Sequence, residues 1–401
     1  MPVAKSYAFV NNRGGTGKSL CLYQLATAYA HAHPEKQVLI VDCSTQGDVS
    51  EYVLGGTQEP LKDEPKATTA GSQVMKTVPP SKTAAGLFAA LLKADPSGMD
   101  ISRRFSNLFH APSLPNVKDH IIKVTDYCQE EQKMPENLWL ATGGSSLAVG
   151  AVNAPTIAQE PTETTKELAN LVQTKSWSQA GQLLATAMDS LPEDWVAFYD
   201  TDAEISERGA SQVPLRAAKS LVLLLSENWR DYLRIYNDPV NALFPVLTYF
   251  NTKYEVAKVD MILFNRVGKL NQNPIMLHGA TQGRDAELPF SPVKVVQKNM
   301  GEIVDHMYGY CWQNMDSNFR LLFKDAQNIN NEGEFSHRYV CSFYHFPEVA
   351  KEISVLKGTP FVAMEAKMKY KLSDGKQEVG PVTEETLRTI CDTVDSVVRR
   401  L

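Results

Sequence analysis

Short apolar runs recur along the chain, separated by longer stretches in which apolar positions fall three or four residues apart. The runs at 7–10, 38–41, 138–141, 196–199, 221–225, 261–264 and 339–343 are rich in Val, Ile, Leu, Phe and Tyr. Runs of this length and composition predict buried strands. Between them, Leu22, Leu25, Ala26 and Tyr29 share one helical face ahead of Pro34, and Leu387, Ile390, Cys391, Val394 and Val398 share another. Strands alternating with helices predict a mostly parallel sheet flanked by helices, a doubly wound α/β fold spanning 1–401 as one domain.

Two stretches break the alternation. Residues 55–81 turn to Pro, Lys, Thr, Ser and Gly and predict a long surface loop. With the helical, irregular stretch 83–136 it makes an insertion at about 55–136. An irregular excursion is expected at about 271–335, richest in Gly, Pro and Asn over 271–293. No repeat or heptad pattern runs through the chain.

Composition narrows the class. The 401 residues are 43% hydrophobic, enough for a sizeable core. The longest apolar runs, such as 221–225, fall far short of the roughly 20 residues of a membrane span, and the first nine residues lack the apolar stretch of a signal peptide. A cytoplasmic protein is expected. Its six cysteines are scattered, without a CxxC pair or a histidine at metal-ligand spacing, which favours reduced thiols over disulfides or zinc. A net charge of −6 gives the whole molecule no attraction for nucleic acid or anionic lipid. Lys253, Lys258, Lys269, Arg320, Lys324, Arg388, Arg399 and Arg400 either gather into a local basic face or are simply solvated.

The chemistry concentrates after the first strand, where Asn11-Asn12-Arg13-Gly14-Gly15-Thr16-Gly17-Lys18-Ser19 leads into a helix. Strand, glycine-rich loop and helix in this order are the context of a phosphate-binding loop. Gly14, Gly15 and Gly17 permit backbone conformations that turn successive N–H groups onto phosphate oxygens, and the helix N-terminus adds partial positive charge. Lys18 brings a full charge to the outer phosphates, and the Ser19 hydroxyl is a hard oxygen ligand suited to magnesium.

This loop resembles that of the ParA/MinD group of deviant Walker ATPases, Lys-Gly-Gly-x-Gly-Lys-Thr/Ser. Three further segments match in order. Val38-Leu39-Ile40-Val41-Asp42-Cys43-Ser44-Thr45-Gln46-Gly47 is similar to the second motif, Asp-x-Asp-Pro-Gln-Gly. Trp195-Val196-Ala197-Phe198-Tyr199-Asp200-Thr201-Asp202 is similar to the Walker B strand and its turn, and Met261-Ile262-Leu263-Phe264-Asn265-Arg266 to the strand ending beside adenine. The resemblance implies an ATP/ADP site with Mg2+. It places Gly14, Gly15, Thr16, Gly17, Lys18, Ser19, Leu20, Gln46, Asn265 and Arg266 around the nucleotide, and Ser19, Asp42 and Asp200 around the metal. Arg13, Lys18 and Asp42 would carry hydrolysis, joined by Asp202 from a position where the family has proline.

Independently, Asp42 and Asp200 end apolar strands at the sheet edge that binds ligands, where they orient metal-bound water or cap a turn. Asn265 either pairs with adenine or caps a turn. The chain also departs from the family pattern. Arg13 replaces the signature lysine that reaches across a dimer, keeping the charge with altered geometry, or else is solvated. Ser44 replaces the second Asp of Asp-x-Asp, so hydrolysis is expected to be slow. Asp202 is then a candidate for positioning water, or a turn residue.

The resemblance further implies a homodimer on ATP binding, a ParB-like adaptor and nonspecific DNA, hence an ATPase that partitions or positions a cargo on the nucleoid. A nucleotide-gated scaffold with little hydrolysis is the alternative. Residues 397–401 are too short and charge-balanced for an amphipathic membrane tail, so no membrane partner is expected.

Overall fold

The computed structural model describes residues 5–11, 15–57, 71–94, 114–128, 130–149, 162–202, 205, 209–237, 242–271, 275–277, 286–288, 291–313, 318–371 and 378–401. All seven apolar runs form strands: β1 (Lys5–Val10), β2 (Gln37–Asp42), β4 (Leu138–Ala141), β5 (Trp195–Asp200), β6 (Ser220–Leu225), β7 (Lys258–Val267) and β12 (Val340–Tyr344). A two-residue β3 (Ile122–Lys123) adds an edge that no apolar run announced. The sheet order is β12-β7-β6-β1-β5-β2-β4-β3, parallel throughout except where β3 runs against β4.

Both faces of the sheet are covered, and that is why the central strands read as continuous apolar runs without alternation. One face lies under α4 (Ala84–Ala94) and the helices Glu163–Thr174 and Trp177–Asp189. The other lies under α1 (Lys18–Ala32) and the helices Glu348–Lys357 and Glu384–Val398. α1 is buried on every side from Cys21 to Ala30, beyond the single stripe its sequence suggests. Its polar groups are satisfied within the core: Gln24 donates to Ser354 Oγ at 2.6 Å and accepts from the Phe361 N–H at 2.7 Å, and the Tyr23 hydroxyl donates to the Gly358 carbonyl at 2.7 Å.

The irregular stretches hold more structure than their composition indicates. Within 55–81, residues Gly71–Thr77 form a helix, α3, seated so closely that a Cβ on Gly71 would lie 2.1 Å from the Glu51 carbonyl. Residues 58–70 lie outside the described set. The excursion after 268 contains two ribbons, β8 (Lys269–Asn271) with β11 (Ser291–Pro292) and β9 (Ile275–Leu277) with β10 (Ala286–Leu288). Among the described residues no helix is long and apolar enough to cross a membrane.

Several of the cations that a basic face would draw on are hydrogen-bonded within the fold. Lys258 donates to the Leu321 carbonyl at 2.6 Å, Arg320 to the Ala326 carbonyl at 3.0 Å, and Arg400 to the Arg338 carbonyl at 2.7 Å. Lys324 pairs with Asp260 at 2.9 Å, and Arg338 closes on the same carboxylate, which also accepts from Ser220 Oγ at 2.7 Å. Burial alone would raise the Asp260 pKa, but these partners outweigh it and hold the carboxyl below its usual value. A depressed native pKa stabilises the fold above the unfolded carboxylate value of about 3.9, and the contribution is lost as pH falls through the native pKa. Asp260→Asn should therefore lower the urea midpoint at pH 7, and its difference from the wild type should shrink steadily below about pH 4. An unchanged difference between pH 7 and pH 3 would contradict this origin.

Candidate active site

β1 delivers the chain to the loop at the carboxyl edge of the sheet. Asn12, Arg13 and Gly14 fall outside the described residues, so the expected roles of Arg13 and Gly14 are not addressed by the geometry. Beyond them, Gly15 (φ +74°) and Gly17 (φ +81°) both adopt the left-handed conformation that a side chain disfavours, and α1 begins at Lys18.

The end of β7 grips this loop. Asn265 donates through Nδ2 to the Thr16 carbonyl at 2.7 Å while its Oδ1 accepts the Arg266 N–H at 2.9 Å. The Arg266 guanidinium donates to the Gly15 carbonyl at 2.7 Å, from a residue at φ +64°. Both ends of the Asn265 amide are thus engaged with protein. In this geometry the residue braces the loop that follows β1.

A cavity of about 420 Å³ opens over the loop, within the range of small-molecule sites. Gly15, Thr16, Gly17, Lys18, Ser19, Leu20, Gln46, Asp202, Asn265 and Arg266 all line it, so the structure gathers these residues from four separate segments. Asp48, Tyr52 and the β12 end at His345 and Phe346 join the wall without having been singled out in the sequence. For His345 and Phe346, their place at the carboxyl end of a strand was the available signal.

Behind the loop, Asp42 and Asp200 lie in register on adjacent strands, both fully buried. Ser19 Oγ donates to Asp200 Oδ2 at 2.8 Å, while Asp200 Oδ1 has no hydrogen-bond partner among the described residues. Burial, then the neighbouring Asp42, push the Asp200 carboxyl up to about 7, against the pull of Lys18 and Ser19. The buried Thr16 hydroxyl also lacks a partner among the described residues. Orphaned buried oxygens are costly, and hard oxygens at a phosphate loop fit a divalent cation carried by a polyphosphate.

Asp42 is differently placed. Its Oδ1 accepts the Ser44 N–H at 3.0 Å, and its Oδ2 accepts the Ser50 N–H at 3.1 Å and the Ser50 hydroxyl at 2.7 Å. It thereby caps α2 (Asp48–Val53) at the third residue of the helix. A Cβ on Gly143 would fall 2.5 Å from the Asp42 carboxyl carbon, so glycine is required where β4 exits. Ser50→Ala should cost about 1–3 kcal/mol in denaturant unfolding, because Asp42 loses a donor and the Gly143 N–H loses its acceptor at 3.0 Å. No loss of stability in that variant would mean that the hydroxyl's bonds to Asp42 and Gly143 contribute nothing to the fold.

Asp202 Oδ1 accepts both the Thr45 N–H at 2.9 Å and Thr45 Oγ1 at 3.1 Å, tying the loop after β5 to the loop after β2. Ser44, where the family pattern has its second Asp, accepts the Gly47 N–H through Oγ at 2.9 Å and so shapes the turn before α2. Gln46 stays exposed at the cavity rim.

Sheet order and the position of the loop define a doubly wound α/β fold with a glycine-rich loop between its first strand and first helix. Among solved structures, the chain is similar to the ATP complex of McdA from Cyanothece, with 10% sequence identity, coverage of 100% of this chain and 97% of that chain, and a TM-score of 0.50. It also superposes on the pNOB8 ParA bound to nonspecific DNA, with 13% identity, 99% and 98% coverage and a TM-score of 0.46. A ParA family ATPase from Chlorobium tepidum TLS gives 13%, 99% and 98%, and 0.43. At such identities the first likeness establishes the shared fold, and the two weaker ones add nothing finer. No protein-family model matches the chain, and no curated protein matches it in sequence.

Proposed function

We propose that the chain is a magnesium-dependent ATPase whose nucleotide state switches its binding to partners. The observation that carries the reading is Lys18 and Ser19 at the start of a buried helix, lining a cavity backed by the orphaned oxygen of Asp200. Lys18 and the amides opening α1 would hold the β and γ phosphates. Ser19 would ligate the magnesium ion with Asp200 behind it, and Asp42 would act on that pair from the next strand through its charge. Magnesium, when bound, neutralises charge on the phosphates. Asn265 and Arg266 keep the loop in shape for binding, and Asp202 holds the loops after β5 and β2 together through Thr45.

The resemblance to the ParA/MinD group extends the proposal to pairing of two copies on ATP, to a ParB-like adaptor and to nonspecific DNA, and so to positioning of a cargo. Titration calorimetry with ATP, ADP and GTP in magnesium, followed by phosphate release and light scattering with and without duplex DNA, tests each level separately. Binding of ATP, slow release of phosphate and an ATP-dependent mass increase are the expected results. Failure to bind ATP would end the nucleotide reading. DNA binding that ignores nucleotide, or none, would remove the partition role alone.

One observation favours the second reading, a nucleotide-gated scaffold with little turnover. Ser44 is consumed in the turn before α2 and offers no carboxylate to water. ATP-dependent pairing without phosphate release would establish it.

A further inference from the structure

The replacement of the family's second aspartate by Ser44 leaves open which group would orient the attacking water. Four aspartates surround the loop, and their surroundings separate them. Asp42 and Asp200 are fully buried, and Asp42 is saturated by Ser44 and Ser50. Asp202 reaches the cavity, but Oδ1 is spent on two donors from Thr45. Asp48 lines the same cavity as Lys18, Ser19 and Gln46, is half-buried, and its carboxylate has no hydrogen bond or ion pair among the described residues.

An acidic first residue in a helix is ordinarily explained by the helix itself, through capping and the dipole. Here that work is done by others. Asp42 takes the Ser50 N–H at the third position of α2, and Ser44 takes the Gly47 N–H just before it. Burial raises the Asp48 carboxyl and Lys18 pulls it back, which puts the group in the field of the lysine that would meet the outer phosphates.

We propose that Asp48 orients and deprotonates the water that attacks the γ-phosphorus, standing in for the carboxylate lost at Ser44; the proposal rests on the ATPase reading above. The water oxygen bonds to the γ-phosphorus as the bond to the β–γ bridging oxygen breaks. The electron pair of that bond leaves with ADP, and the water proton passes to the Asp48 carboxylate and from there to solvent. Asp202 is then a positioning residue that acts through Thr45.

The test compares wild type, Asp48→Asn, Asp48→Glu and Asp202→Asn for ATP affinity by calorimetry in magnesium and for single-turnover phosphate release. Asp48→Asn should bind ATP within about threefold of wild type yet release phosphate about 100-fold more slowly, the size of a general-base contribution, and Asp48→Glu should recover part of the rate. Wild-type turnover in Asp48→Asn, or a loss of ATP affinity matching the loss of rate in both Asp48 variants, would overturn the assignment while leaving the ATPase reading intact. A wild type that binds ATP and never releases phosphate would overturn both.

Discussion

Lys18→Ala should abolish measurable nucleotide binding at concentrations that saturate the wild type, with thermal unfolding of the free protein little changed. Lys18 is nearly buried at 7% exposure, in the cavity wall and at the start of α1. Removing a buried charge from a charge-assisted contact typically costs on the order of 2–5 kcal/mol, which is a loss of roughly 30-fold to several thousand-fold in affinity. Calorimetry with ATP and magnesium measures it. Retention of wild-type affinity in Lys18→Ala would show that the phosphates are not held where the loop presents this side chain, and the nucleotide assignment would fall with it.

Gly17→Ala is the second large effect, and its cause is steric on two counts. At φ +81° an alanine pays roughly 1–2 kcal/mol for the left-handed backbone. Its Cβ would also sit 2.7 Å from Asn265 Nδ2, the atom that donates to the Thr16 carbonyl. That amide cannot give way without breaking the brace between β7 and the loop. The variant should lose ATP affinity by more than tenfold, since roughly 1.4 kcal/mol of distortion at the site already corresponds to that factor. Asn265→Ala should weaken binding in the same direction while retaining the glycine, which separates loss of the brace from backbone strain. Full ATP affinity in both variants would mean that the loop keeps its shape unaided.

The sequence by itself determined the architecture and the loop. Strands buried on both faces must be apolar along their whole length, so β1, β2, β4, β5, β6, β7 and β12 were each visible as runs whose centres match the structure. The loop after β1 was visible because its signature is local, with glycine conformations, a lysine and a hydroxyl all within a few consecutive residues. Short edges and docked segments carried no such signature. β3 is two residues long, and α3 is placed by the contact of Gly71 with Glu51, which composition cannot express.

Tertiary structure alone decided what each carboxylate and amide touches. Asp42, Asp48, Asp200 and Asp202 look alike in sequence, each near a strand end with an apolar run behind it. Their differences come from partners that folding brings to them: Thr45 on Asp202, Ser19 on Asp200, and Ser50 with the close approach of Gly143 on Asp42. The amide of Asn265 donates to a carbonyl 249 residues away, a bond no local pattern announces. A hydrogen bond is set by angles and distances of a few ångströms, and only the packing of sheet, loop and helix fixes those.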